Sequence, residues 1–171
     1  MKKTFVDIRK IASYNALYNG YQHCCEGDKG KRKDAIEYSE NLSENLKKLS
    51  RRLLDGTWEP DKGRSFKIFT EGKWRIIHVV GIEDRIVHQS LVYHFGLQKK
   101  FIKRTFGSIK KRGTLAASKQ VRKDIHKEKR PYVIKLDVHK YYPSVNKEIL
   151  KNQIRNKYKG ERALRLYEKI I

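Results

Sequence analysis

The stretch YVIKLDVHKYYPSV, Tyr132 to Val145, decides how the fold is read. Its first seven residues alternate, with Ile134, Leu136 and Val138 on one side and Val133, Lys135 and Asp137 on the other. That period predicts a strand whose first face fits a core covered by helices. Asp is disfavoured inside strands, so Asp137 at the C-terminal end of this one asks for a reason. Ligands sit at that end in α/β sheets. A carboxylate there suits Mg²⁺, which takes hard oxygen donors. The other reading has Asp137 serving the next turn, or pairing with Lys135 or Lys140. Two tyrosines and Pro143 follow, and then a helix is expected from about Ser144 to Tyr158.

Upstream, the order of elements is helices, hairpin, helices. Tyr38, Leu42, Leu46, Leu49 and Leu53 recur at steps of three and four, the apolar stripe of an amphipathic helix, and Gly56 is placed to stop it. SFKIF and WRIIHVV flank TEGK, which reads as a hairpin around a Gly-containing turn. Asp84 is placed to cap a helix running through Ile86, Val87, Leu91 and Phe95 towards Phe101. KKFIKRTFGSIKKRG, Lys99 to Gly113, is a basic loop with interleaved aromatics. Ala117, Val121 and Ile125 mark a further helix, and ERALRLYEKII a last one. Few strands among many helices predict an α+β class, with less sheet than a complete domain needs.

Forty-one Lys and Arg against nineteen Asp and Glu leave a net charge of +22, spread along the whole chain. Such a field draws in phosphates and releases counterions on binding, so a polyanionic partner is expected. The two cysteines, Cys24 and Cys25, are neighbours and match no zinc spacing. The N-terminal twenty residues lack the apolar run of a signal peptide, and no segment reaches transmembrane length. A soluble chain in a reducing, cytoplasmic compartment, with no membrane partner, is the expectation.

KLDVHKYYPSVNKEIL, Lys135 to Leu150, resembles the first catalytic block of reverse transcriptases, especially the bacterial group II intron and diversity-generating types. The resemblance implies that Asp137 is catalytic and binds both of two Mg²⁺ ions, with the Val138 main-chain carbonyl on one of them. It implies that Tyr142 lies under the deoxyribose and blocks a 2′-hydroxyl, while Tyr141 points into the packing behind the site. GKWRIIHVVGIEDRIVHQSL, Gly72 to Leu91, resembles the family's fingers hairpin and the helix after it. Arg75 then holds the incoming triphosphate, with Lys73 a further candidate and Lys67 the nearest match to a second lysine on the outgoing strand. FIKRTFGSIKKRGTLAA, Phe101 to Ala117, resembles the next block, although Ile109 stands where many relatives carry Arg. Lys110, Lys111 and Arg112 in that block are candidate nucleic-acid contacts.

The similarity runs from about Ile8 to Tyr158. It implies a helical fingers region with a β-hairpin over residues 1–130, leading into the first strand and helix of a polymerase palm over 131–171. The family's Tyr-x-Asp-Asp hairpin does not occur in these 171 residues, and they include no thumb. One side-chain carboxylate and one carbonyl are not enough to hold two metals about 4 Å apart. The expectation is therefore the N-terminal part of a bacterial or phage-encoded RNA-directed DNA polymerase, inactive by itself. It would act on an RNA template, a DNA or RNA primer and deoxynucleoside triphosphates. The rest of the enzyme would be joined to it or supplied as a second chain. The alternative is a non-catalytic RNA-binding module built on the fingers fold.

Overall fold

The computed structural model describes residues 2–109, 111–128 and 132–171. In chain order the elements are β1 (Thr4–Phe5), α1 (Ile8–Ile11), α2 (Tyr14–Cys24), α3 (Lys33–Glu40), α4 (Leu42–Asp55), β2 (Arg64–Thr70) and β3 (Lys73–Val79). There follow α5 (Ile82–Phe95), α6 (Thr114–Lys127), α7 (Tyr141–Ser144), α8 (Lys147–Lys157), β4 (Tyr158–Lys159) and α9 (Glu161–Ile170). β1 pairs with β4 in parallel, and β2 with β3 in antiparallel register. The class is α+β. Among the described residues, no helix is long and apolar enough to cross a membrane.

Two compact units divide the chain: Met1–Phe95 with Lys147–Ile171, and Gly96–Asn146. The expected division after residue 130 does not coincide with this one. Segments far apart in sequence close the first unit, because the short β4 strand returns to pair beside β1.

The first unit holds the core. Leu46, Leu49 and Leu53 of α4 are buried, as their spacing predicts. Gly56 ends the helix in the left-handed conformation at φ 76°, its N–H donating to the Arg52 carbonyl. The stripe from Tyr38 is broken at Asn41, however, so α3 and α4 are separate helices. Ile86, Val87 and Leu91 of α5 are buried against α2, where Gly20 lies so close that a Cβ would stand 2.9 Å from the Ile86 carbonyl oxygen. Ser50 and Ser90 donate to the carbonyls of Ala12 (2.6 Å) and Ile11 (2.8 Å), closing the C-terminus of α1. The Phe95 ring packs on Tyr158 and Tyr167, which ties α5 to β4 and α9.

Two local expectations need correction. Asp84 does not cap α5: the helix begins at Ile82, and the buried Asp84 carboxylate accepts the Asp61 backbone N–H at 2.9 Å. That helix stops at Phe95 rather than Phe101, because Gly96 turns left-handed at φ 59°. The helix expected from about Ser144 to Tyr158 does form, as α8 over Lys147–Lys157, and the short α7 precedes it in the chain.

The second unit is built differently. None of its described residues is buried. α6 forms where its period predicts, yet Leu115, Val121 and Ile125 remain exposed. Tyr132–Val138, the expected strand, has no ladder partner and is not a strand among the described residues. A strand needs a neighbour to satisfy its backbone groups, and here Ile134 and Leu136 stand 81% and 87% exposed. The apolar face that the alternation assigns to a core has nothing over it within this unit.

Candidate active site

Each candidate residue takes its position from a local device. The hairpin turns at Glu71 and Gly72, with φ values of 53° and 73°, the two positive angles of a type I′ turn. This fixes the register Phe69↔Trp74 and Ile68↔Arg75. Paired residues share a face, so Arg75 and Lys73 lie with Ile68, Phe66 and Ile77 on one side. Arg75 makes an ion pair with Glu71 of the turn, and both side chains are largely exposed. Lys67 pairs with Ile76 and therefore lies on the opposite face from Arg75. That removes it as a second contact to anything Arg75 holds on its own face.

In the second unit, Asp137 is exposed and its Oδ1 accepts the Val138 N–H at 2.9 Å. The chain then turns through Lys140 at φ 47° into the single turn of α7. Tyr141 and Tyr142 touch edge to face, with ring centroids 5.3 Å apart. Tyr141 is 57% exposed and Tyr142 is 87% exposed. With no sheet beside Tyr132–Val138, this unit offers Tyr141 nothing to pack into, and the packing expected behind the site is not seen within it.

Of the basic loop residues, Lys110 lies outside the described residues. Lys111 is exposed at φ 64°, and Arg112 donates to the Lys103 carbonyl at 3.3 Å. A cleft of about 490 Å³ opens beside them, lined by Phe106, Ser108, Ile109, Arg112 and Thr114 among others. Residues 96–146 carry fifteen Lys and Arg against three Asp and Glu. That excess makes this unit the most strongly cationic part of the chain, a surface suited to phosphate contacts.

Mg²⁺ takes oxygen donors, and Asp137 with the Val138 carbonyl supplies a hard pair of the right kind. It is half of what two ions need. Among the described residues, no group of three or more His, Cys, Asp or Glu side chains forms a metal site. The carboxylates of Asp124 and Glu148 are committed to partners of their own. Asp124 accepts from Arg104 at 2.7 and 3.2 Å and from Gln120 at 3.0 Å, and Glu148 pairs with Lys151 at 2.9 Å.

Two features escaped the sequence reading. One is the buried Asp84 beside His88, which α5 places one turn apart. Burial raises the Asp84 carboxyl above its usual value, against the hydrogen bond from Asp61, and burial lowers the His88 imidazole. The spacing of four on a helix was visible, but its burial was not. The other is the exposed pair Phe69 and Trp74, whose cross-strand contact follows from the turn register.

No protein-family model matches the chain, and no curated protein matches it.

Proposed function

We propose that this chain is the N-terminal part of a reverse transcriptase, acting in RNA-templated DNA synthesis by two-metal nucleotidyl transfer. The observation that carries the reading is the segment Tyr132–Tyr142: an alternating apolar run without a sheet, ending in an exposed carboxylate and an exposed tyrosine pair. An apolar face left bare in this way calls for further polypeptide to build the sheet and to bring the missing carboxylates.

In the completed enzyme, the Asp137 carboxylate and the Val138 carbonyl would hold metal. Two Mg²⁺ ions, when bound, neutralise charge on the attacking and leaving oxygens. Arg75, with Lys73 beside it on the same face, binds the triphosphate; its surface pair with Glu71 is weak enough to exchange for phosphate. Tyr142 fills the volume that a 2′-hydroxyl would need. Lys110, Lys111 and Arg112 hold backbone phosphates of the template and primer without reading sequence. The partners are an RNA template, a DNA or RNA primer, deoxynucleoside triphosphates and the remaining polymerase, in cis or as a second chain. A cytoplasmic setting suits the two free thiols, of which Cys24 is pushed up to about 11 by burial. A non-catalytic RNA-binding module is the second reading, favoured by the ion pairs that occupy Asp124 and Glu148.

The test of this reading joins the chain to a palm and thumb segment carrying Tyr-x-Asp-Asp and compares ribo- and deoxynucleotide incorporation for wild type and Tyr142→Ala. Tyr142→Ala is expected to admit ribonucleotides at least tenfold more readily, about 1.4 kcal/mol of lost discrimination, with deoxynucleotide use less affected. Unchanged discrimination would remove Tyr142 from the nucleotide site.

A further inference from the structure

The β2–β3 hairpin has two exposed faces, and only one carries Arg75 and Lys73. The other presents Ser65, Lys67, Phe69, Trp74, Ile76 and His78, with no acidic residue among them. Phe69 and Trp74 are opposite each other beside the turn, 62% and 71% exposed. Their rings meet at 5.4 Å between centroids and 60° between planes. An edge-to-face contact leaves at least one flat side of each ring open. Lys67 stands two residues along the same strand face, about 7 Å from Phe69 at the usual rise.

A two-stranded hairpin with both faces in water is marginal, and large exposed aromatic rings on it lose free energy unless something covers them. The chemistry of the face decides what. Flat apolar rings beside a cation, Lys67, and free of carboxylates match a ligand with a π-face and a negative backbone. Unpaired bases have open π-faces, whereas in a duplex the stack and the partner strand enclose them. A protein segment pairing with the strand edges would leave Lys67 without a counter-charge.

We propose that this second face of the hairpin is a stacking platform for an unpaired stretch of nucleic acid. At least one base lies on Trp74 or Phe69, and Lys67 meets the adjoining phosphate. The site is separate from the face assigned to the triphosphate, and it goes beyond the polymerase reading because it needs neither metal nor nucleotide. The hairpin thereby handles an anion on one side and a bare strand on the other.

The chain carries two tryptophans, and they report differently: Trp58 is 1% exposed and Trp74 is 71% exposed. The experiment titrates the full chain, without Mg²⁺, with a single-stranded oligonucleotide, an abasic strand of equal phosphate count and a blunt duplex, following tryptophan emission and affinity. The base-bearing strand is expected to quench the solvent-exposed Trp74 component and leave the Trp58 component unchanged. The abasic strand should bind at least fivefold more weakly, the equivalent of about 1 kcal/mol for one stacked base, and quench nothing. Trp74→Leu, which keeps an apolar strand residue, should lose the same factor for the base-bearing strand only, and Trp74→Phe should recover most of it. Equal affinity for base-bearing and abasic strands, without quenching, would overturn the proposal and leave the face to a protein partner. Quenching by the duplex as strong as by the single strand would overturn it as well.

Discussion

The buried carboxylate of Asp84, on the first turn of α5, accepts the backbone N–H of Asp61 at 2.9 Å. Through it, the loop that leads into β2 is tied to a core helix three residues before the hairpin begins. Asp84→Ala removes the acceptor and should cost about 1–2 kcal/mol. Asp84→Asn keeps an acceptor oxygen and removes a charge that burial disfavours, so it should equal or exceed wild-type stability near neutral pH. Urea unfolding of the three proteins decides this, and no loss in Asp84→Ala would mean that the tether contributes nothing.

His88 sits one turn further along the helix, and burial holds its imidazole below the usual 6.5 while Asp84 pulls the other way. Above 6.5 the ring is neutral whether the chain is folded or not. As pH falls below it, the unfolded chain takes up a proton that the folded one resists, so stability is lost from about 6.5 down to the lowered folded value. Asp84 acts in the opposite sense: its raised pKa makes its contribution largest in acid, fading as pH rises above its usual 3.8 towards the folded value. Stability measured at about pH 7.5 and about pH 5.5 should fall with acidification, and His88→Asn should flatten that fall. An unchanged slope in His88→Asn would assign it to other groups.

Gly160 closes the first unit. Its φ is 118°, and a Cβ there would stand 2.1 Å from the Val6 carbonyl oxygen, next to the bond that the Val6 N–H donates to the Lys159 carbonyl at 2.8 Å. Backbone on backbone leaves no flexible atom to yield. Gly160→Ala should therefore cost about 3 kcal/mol or more. Gly56→Ala has the left-handed angle but open space around it, and should cost only about 1 kcal/mol. Equal shifts in unfolding midpoint would deny the close approach.

Local periodicity carried most of the fold into view. Leu46, Leu49 and Leu53 announce α4 because a buried helix face repeats every three to four residues, and Glu71–Gly72 announces the hairpin because a two-residue turn demands positive φ. β1 and β4 were not legible: two residues each leave no pattern, and their pairing depends on Gly160 approaching Val6 across most of the chain. Tyr132–Val138 reads as a strand by alternation, but alternation describes side chains and says nothing about a ladder partner. For the candidate site, Asp137, Arg75 and Tyr142 were legible as residue types in motifs. The exposure of Tyr141 and the opposite face taken by Lys67 followed only from the turn register and from a segment without a sheet.

The role proposed for Asp137 is that of a metal ligand in a polymerase completed by further polypeptide. The measurement that tests it is Mg²⁺-dependent primer extension on an RNA template by three preparations. These are the 171-residue chain alone, the chain with a palm and thumb segment carrying Tyr-x-Asp-Asp, and that combination with Asp137→Asn. Extension is expected from the second preparation only, because coordinating both ions takes carboxylates from more than one segment. Extension by the chain alone, or extension that survives Asp137→Asn, would contradict it.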